Sequence, residues 1–409
     1  MLLALAFAAG CGQLAPRGAF GSTNLLIALA ALATLWVMLE PAEVDRDDTL
    51  PALAVVVSTL GVLELARLSP QLAGRQLLWL AFSLALAVAL GPAFNRFRVL
   101  AAYKYIWILV AIALFAALAV FGQEVNGAKL WIRLGAVQFE PVEVIKLLVV
   151  LFMASYLAET GDIIARTRPW SLRANAKYLG PLFIGWGASM AILVFEHDLG
   201  MAVLLLATFA AMLYVATRRV DLIVGGFAVF GGAAYLLATR YAYVRTRIAV
   251  WQHPFADPFG AGYQTLQSLY SLAAGGLFGT GYGRGRPDYI PGVATDYVYA
   301  AWSEEWGTLG AIVLCVAYLE IVRRALRVAQ RQPDLYAKLL ATGLAATLGF
   351  QVFIIVGGVL GLFPLTGITL PFISYGGSSL VSNYVLVALV WAISSERRAP
   401  RARITGVAA

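Results

Sequence analysis

The feature that most constrains this chain is a series of apolar runs near the ~20-residue length a helix needs to cross a bilayer. They lie near 23–40, 49–68, 76–94, 102–122, 141–158, 178–196, 199–217, 221–239, 298–322, 336–360 and 377–395. A shorter run over 1–14 reads as one more span or as an interfacial segment. The runs are continuous rather than alternating, which excludes a membrane β-barrel. The expected fold is therefore all-α, a polytopic membrane helix bundle. Apolar residues make up 61% of the chain and charged ones 13%, against ~45–50% and ~25% in soluble domains. That balance excludes a soluble enzyme, a disordered chain and a secreted disulfide scaffold. Cys11 and Cys315 both sit in apolar segments, and His197 and His253 are too few for a His-rich metal site.

Basic residues set the expected orientation, because they concentrate on the cytoplasmic side of a membrane. Arg96, Arg98 and Lys104 share one connection, Arg166, Arg168, Arg173 and Lys177 another, and Arg218 and Arg219 a third. Arg323, Arg324, Arg327, Arg331 and Lys338 follow, then Arg397, Arg398, Arg401 and Arg403. These fall on every second connection after the span at 49–68, so those connections and the C-terminus are expected to be cytoplasmic. The net charge of +8 is thus a topology signal rather than a nucleic-acid footprint. The opposite side carries 123–140, 195–198, the long loop 240–297 and 361–376, rich in Gly, Pro, aromatic and charged residues. A loop as long as 240–297 is more often functional than idle. Met1–Gly10 ahead of Cys11 has the outline of a lipoprotein site but lacks a basic leader. Residues 1–48 are read as extra N-terminal transmembrane segments and 399–409 as a cytoplasmic tail.

Ionisable residues at membrane depth cost about 2.5–3.5 kcal/mol each and need a reason. Glu143 and Lys146 open the run at 141–158 with i, i+3 spacing, either as a salt bridge at a helix end or as the wall of a substrate cavity. Glu196, His197 and Asp198 cluster where two spans meet, and Asp198 reads equally as a helix cap or a cavity lining. Asp296 precedes the run at 298 as an N-cap or as a carboxylate at a cavity mouth. Glu304 and Glu305 lie about two turns further on, and Arg245 and Arg247 are their candidate partners. The run Gly275-Gly276-Leu277-Phe278-Gly279-Thr280-Gly281 either only turns the chain or, with arginines that bind phosphate bidentately, suits a pyrophosphate head group.

Several of these segments resemble one family. Gly127-Ala128-Lys129-Leu130-Trp131-Ile132, Glu140-Pro141-Val142-Glu143-Val144-Ile145-Lys146 and Glu196-His197-Asp198-Leu199-Gly200 are similar to motifs of the SEDS proteins (shape, elongation, division and sporulation). So are Asp257-Pro258-Phe259-Gly260-Ala261-Gly262-Tyr263-Gln264 with Gln267-Ser268, Thr295-Asp296, and Glu304-Glu305-Trp306-Gly307. Leu370-Pro371-Phe372-Ile373-Ser374-Tyr375-Gly376-Gly377-Ser378-Ser379 matches without a change. Leu130, Glu140, His197, Gly292 and Ala294 stand where the family has Arg, Gln, Pro, Glu and His. The resemblance covers about 49–398. It implies a ten-span core, with one or two extra helices before it. It also implies a peptidoglycan glycosyltransferase of the cytoplasmic membrane that polymerises lipid II on the outer face, releases undecaprenyl pyrophosphate and works with a class B penicillin-binding protein.

The residues that match the family's site are then Asp296 as catalytic base and Lys146 as a cation near the leaving group. Glu143, Arg245, Arg247, Trp131, Arg133, Asp198, Asp257, Gln264 and Ser378 are candidate substrate contacts. Arg133 is expected to replace the cation missing at Leu130 if that stretch is helical. A divalent cation such as Mg²⁺ or Mn²⁺ is a further candidate, since carboxylates and phosphates suit it, although no spacing specifies a site. Two rival readings are a lipid II flippase and a non-catalytic scaffold for the transpeptidase. The flippase requires polar groups along a path through the bilayer, and here they collect on one side.

Overall fold

The computed structural model describes residues 47–395 except 126–127, 136, 168–175, 183, 185–186 and 188–197. The runs expected at 1–14, 23–40 and most of 178–196, with Glu196, His197 and the tail 399–409, lie outside the described residues. Within them the helices are α1 (Thr49–Leu68), α2 (Pro70–Phe94), α3 (Lys104–Phe121), α4 (Pro141–Arg166), α5 (Leu199–Thr217), α6 (Val220–Arg240), α7 (Ala242–Gln252), α8 (Tyr263–Gly275), α9 (Val298–Arg331), α10 (Leu335–Val359) and α11 (Gly377–Ser394). Eight described helices, counting Phe97–Phe121 as one, are long and apolar enough to cross a membrane. The chain is a multi-pass membrane helix bundle.

Local sequence explains most of the boundaries. Pro70 and Pro141 open α2 and α4 at the position where a missing N–H costs nothing. Asp198 and Asp334 cap α5 and α10 by accepting from Met201 N and Ala337 N, both at 3.0 Å. α4 runs through the centre of the bundle, buried from Pro141 almost continuously to Leu157. It packs against α3, α5, α10 and α11. α6 is its opposite, with no buried residue along its length.

One end of the bundle gathers the basic connections. There Arg324 pairs with Asp47 at 2.7 Å, Trp391 Nε1 donates to Asp48, and Arg219 Nη1 donates to the Ile164 and Thr167 carbonyls at the end of α4. The other end carries residues 253–297, 360–376 and a feature the all-α expectation did not contain. Three strands form an antiparallel sheet, β1 (Gln123–Val125), β2 (Ala128–Leu134) and β3 (Val137–Phe139), with β2 in the middle. Ile132 faces Phe139 and Arg133 faces Gln138 across the β2–β3 pair. The expected helical placement of Arg133 beside position 130 is therefore corrected. In an extended strand, positions three apart fall on opposite faces.

α9 is broken at Gly307 (φ 69°, ψ −175°), and the glycine-rich run closes the break. Thr280 N and Gly281 N donate to the Glu304 and Glu305 carbonyls at 2.9 and 3.0 Å, while Thr308 N and Leu309 N donate to the Gly276 and Leu277 carbonyls at 2.9 and 3.2 Å. A Cβ on Gly279 would lie 2.2 Å from the Glu305 carbonyl oxygen, so no side chain fits there. Of the two readings of the run, the structure matches the one in which its glycines serve the backbone. Its amides are taken by a backbone that would otherwise stand unpaired inside a membrane, at several kcal/mol per group.

Candidate active site

At the sheet-bearing end, Asp296 sits on a turn built by its neighbours. Gly292 (φ 69°) takes the left-handed conformation, and its carbonyl accepts from Thr295 N, Asp296 N and Thr295 Oγ1. This gives a physical reason for glycine at 292, where a side chain would strain the turn. Tyr375 N donates to the Ala294 carbonyl at 2.8 Å and Ser374 Oγ to the Thr295 carbonyl at 2.5 Å. Gln264 Nε2 donates to the Pro291 carbonyl at 2.5 Å. The N-cap of α9 is Tyr297, without a side-chain cap, so the carboxylate of Asp296 is left for other work.

Arg247 on α7 is its companion. A methyl on Gly367 would lie 3.8 Å from Asp296 Oδ2 and 3.9 Å from Arg247 Nη2, so the two groups flank that glycine. Arg247 Nη1 donates to the Thr366 carbonyl at 3.1 Å, which aims the guanidinium along the 365–369 segment. Burial pushes the Asp296 carboxyl up to about 6. The negative charge of Asp198 adds to the rise, while Thr295 and Arg247 oppose it. Asp198 is also pushed up to about 6 by burial, with Met201 N and Arg247 pulling the other way. Glu140 is raised well above the ordinary carboxylate range, first by burial and then by Glu143 and Asp198. Asp198 therefore caps α5 and stands in the acidic cluster at once, so its two readings are not exclusive.

Glu143 and Lys146 are both buried, with Lys146 Nζ 2.5 Å from Glu143 Oε2 and 2.9 Å from Gln351 Oε1. The ammonium has no exposed surface, so it lies behind the carboxylates rather than in an open cavity. Ser378 is buried and its hydroxyl accepts from Glu140 N at 2.9 Å, which pins the start of α4 to α11. Lys146→Met should destabilise the fold by about 3–5 kcal/mol, because it strands a buried carboxylate. Adding Glu143→Gln should recover most of the loss in thermal melts of detergent-solubilised protein, and no recovery would mean that Lys146 supports the fold through another partner.

The other expected contacts are placed less centrally. Arg245 is exposed and donates to the Thr239 carbonyl at 3.3 Å. Asp257 is exposed and accepts from Gly260 N and Ala261 N in its own turn. Trp131 is half-buried on β2, and Arg133 is exposed with its Nε bonded to the Gly135 carbonyl. Neither Arg245 nor Arg247 serves Glu304 and Glu305. Arg67 of α1 pairs with Glu305 instead, its Nε 3.0 Å from Glu305 Oε1. Among the described residues no three His, Cys, Asp or Glu side chains are gathered to hold a metal ion. The cation beside Asp296 and Asp198 is Arg247.

Arg247 also forms part of the wall of an apolar cavity of about 1330 Å³ between α5, α6 and α10. Leu199, Phe209, Phe230, Leu237 and Phe353 line it, and Tyr241 and Thr366 stand near Arg247. Arg247 thus joins the surroundings of Asp296 to an apolar space, which Arg219 and Asp221 also line.

Comparison with known proteins agrees with this architecture. A family model described as cell cycle protein, for FtsW, RodA and SpoVE, matches residues 49–399. The peptidoglycan glycosyltransferase RodA of Mycobacterium tuberculosis is 39% identical over 334 residues, 80% of this chain and 71% of that protein. Stage V sporulation protein E of Bacillus subtilis is 35% identical over 281 residues, 68% of this chain and 74% of that protein. Among solved structures, a chain from a peptidoglycan synthase complex that coordinates polymerization and crosslinking is similar with a TM-score of 0.67 at 28% identity, covering 85% of this chain and 97% of that one. The rod shape determining protein RodA of Thermus thermophilus has a TM-score of 0.61 at 28% identity, with 85% and 96% covered.

Proposed function

Because this chain belongs to the cell cycle protein family of FtsW, RodA and SpoVE, we infer that it is a peptidoglycan glycosyltransferase that polymerises lipid II. The observation that carries the chemistry is that Asp296 and Arg247 flank Gly367, and that Arg247 also lines the apolar cavity. Chain growth joins the 4-hydroxyl oxygen of an acceptor sugar to the anomeric carbon of a donor. The bond from that carbon to the pyrophosphate breaks, and undecaprenyl pyrophosphate leaves. Asp296 accepts the hydroxyl proton as that oxygen attacks. Arg247 meets the negative charge that develops on the leaving group, and its planar fork suits phosphate oxygens. The cavity takes a polyprenyl tail, which explains why a site for a charged reaction opens into an almost wholly apolar space. Lys146 works from behind, offsetting the charge of Glu140, Glu143 and Asp198.

The distribution of basic residues supports an outward-facing sheet end and a cytoplasmic C-terminus. The similarity to a chain of a peptidoglycan synthase complex supports a crosslinking partner of the class B penicillin-binding type. Purified protein incubated with labelled lipid II tests the reading. Glycan strands and released undecaprenyl pyrophosphate are expected, whereas intact lipid II under all conditions would leave the scaffold reading in its place.

The pH profile follows from the site. A base must be ionised to act, and Asp296 ionises at about 6. Polymerisation is therefore present above that value and lost as pH falls through it, by about tenfold per unit. Asp198→Asn removes a negative neighbour that raises Asp296, so the acid limb should move to lower pH. A rate flat between pH 5 and 7 would assign the proton transfer elsewhere.

A further inference from the structure

We propose that Gln351 is a positioning residue that ties the buried Lys146 ammonium to the backbone segment carrying the site's companion groups; the proposal rests on the glycosyltransferase reading above. Gln351 on α10 is fully buried and uses both ends of its amide. Its Oε1 accepts from Lys146 Nζ at 2.9 Å and its Nε2 donates to the Thr369 carbonyl at 3.0 Å. The orientation of the amide is forced, because an ammonium only donates and a carbonyl only accepts. The connection continues beyond Thr369. Thr369 Oγ1 donates to Ser379 Oγ at 2.9 Å, and Asn383 Nδ2 donates to the Ser379 carbonyl at 2.8 Å.

The segment that Gln351 holds is the one on which the site converges. Arg247 donates to its Thr366 carbonyl, Gly367 lies against Asp296 and Arg247, and α5 packs on it at Gly200, where a Cβ would come within 2.6 Å of Ile368 Cγ2. Neither Met nor an ionised Glu can make both contacts. Met fills the volume with neither a strong acceptor nor a donor, and an ionised Glu keeps an acceptor for Lys146 but offers the Thr369 carbonyl no donor. Both Lys146 and the 365–369 backbone are thus registered to one α10 side chain that has no exposed surface and does not touch substrate.

The test combines Gln351→Met, Gln351→Glu and Lys146→Met. With labelled lipid II, Gln351→Met should lower kcat roughly tenfold, the scale on which small misplacements act, while KM stays within about twofold. Gln351→Glu should fall less. In the Lys146→Met background, Gln351→Met should add little, because the group it positions is gone. A raised KM at unchanged kcat, or losses that multiply in the double variant, would overturn the proposal. Thermal melts of the same four proteins judge the contact without reference to any reaction, and the melting shifts of Lys146→Met and Gln351→Met should be clearly non-additive. If the unmodified protein polymerises nothing, the functional reading fails; non-additive melting then leaves Gln351 as a structural tie, and additive melting removes that role too.

Discussion

Asp296→Asn should abolish glycan polymerisation while leaving the protein folded. The substitution is nearly isosteric, and the side-chain oxygen of Asn keeps an acceptor for Thr295. The turn is made by the Gly292 carbonyl and by bonds from Ser374 and Tyr375 to the backbone of 294 and 295. What is lost is the group that takes the acceptor's proton, and removing a general base costs about 10²–10⁴ in rate. An amide cannot accept a proton at any working pH, so no change of buffer should restore the rate. The check is lipid II turnover by wild-type and variant protein at matched melting temperature. Turnover within threefold of wild type would remove Asp296 from the base role and turn attention to Asp198 and Glu140.

The second large effect is expected at Arg67. Glu64, Glu304 and Glu305 are all buried, and Arg67 lies within electrostatic reach of Glu64 and Glu305. Its Nε lies 3.0 Å from Glu305 Oε1, and its Nη2 donates to the Gly285 carbonyl at 2.8 Å. Glu304 and Glu305 are also held by backbone, through Arg286 N at 2.7 Å and Gly283 N at 3.0 Å. Removing the cation leaves buried carboxylates uncompensated, a change that costs about 3–5 kcal/mol. Arg67→Met should therefore lower the melting temperature severely or prevent recovery of folded protein. Arg67→Met with Glu305→Gln should recover a large part of the loss. An Arg67→Met protein that melts like wild type would show that the carboxylates are neutralised by protons alone.

Element boundaries were readable where composition changes abruptly. The runs at 49–68 and 199–217 coincide with α1 and α5, since each ends at a cap, a proline or a charged turn. The sheet was overlooked although its signal was present. Lys129, Trp131 and Arg133 alternate with Leu130, Ile132 and Leu134, a period of two that the surrounding apolar runs overshadowed. The partner of Glu305 was not readable. Arg67 lies on another helix far away in the chain, and no local pattern ties the two. The glycine run left two readings open for a different reason. Glycines permit close approach by a ligand or by another backbone, and composition does not tell which. Asp296, Asp198 and the Glu143–Lys146 pair were picked out by the cost of charge near the membrane, whereas Arg247 was named as a partner for Glu304 and Glu305 and as a cation for phosphate. Gln351 was missed because an uncharged amide in an apolar helix draws little attention without its partners.

The break in α9 also bears on how the chain is made. Val298–Arg331 is not among the described helices apolar enough to cross a membrane unaided. It carries two buried carboxylates near a gap in its own hydrogen-bond ladder. The partners of those two carboxylates and of the gap come earlier in the sequence: Arg67 on α1, and the amides and carbonyls of 276–286. A ribosome delivers those groups first. As α9 leaves the translocon, its counter-charge and missing backbone partners are already waiting. Moving α1 to the C-terminus by circular permutation would keep every native contact and reverse that order, and such a chain should insert α9 poorly even though its folded state is the same.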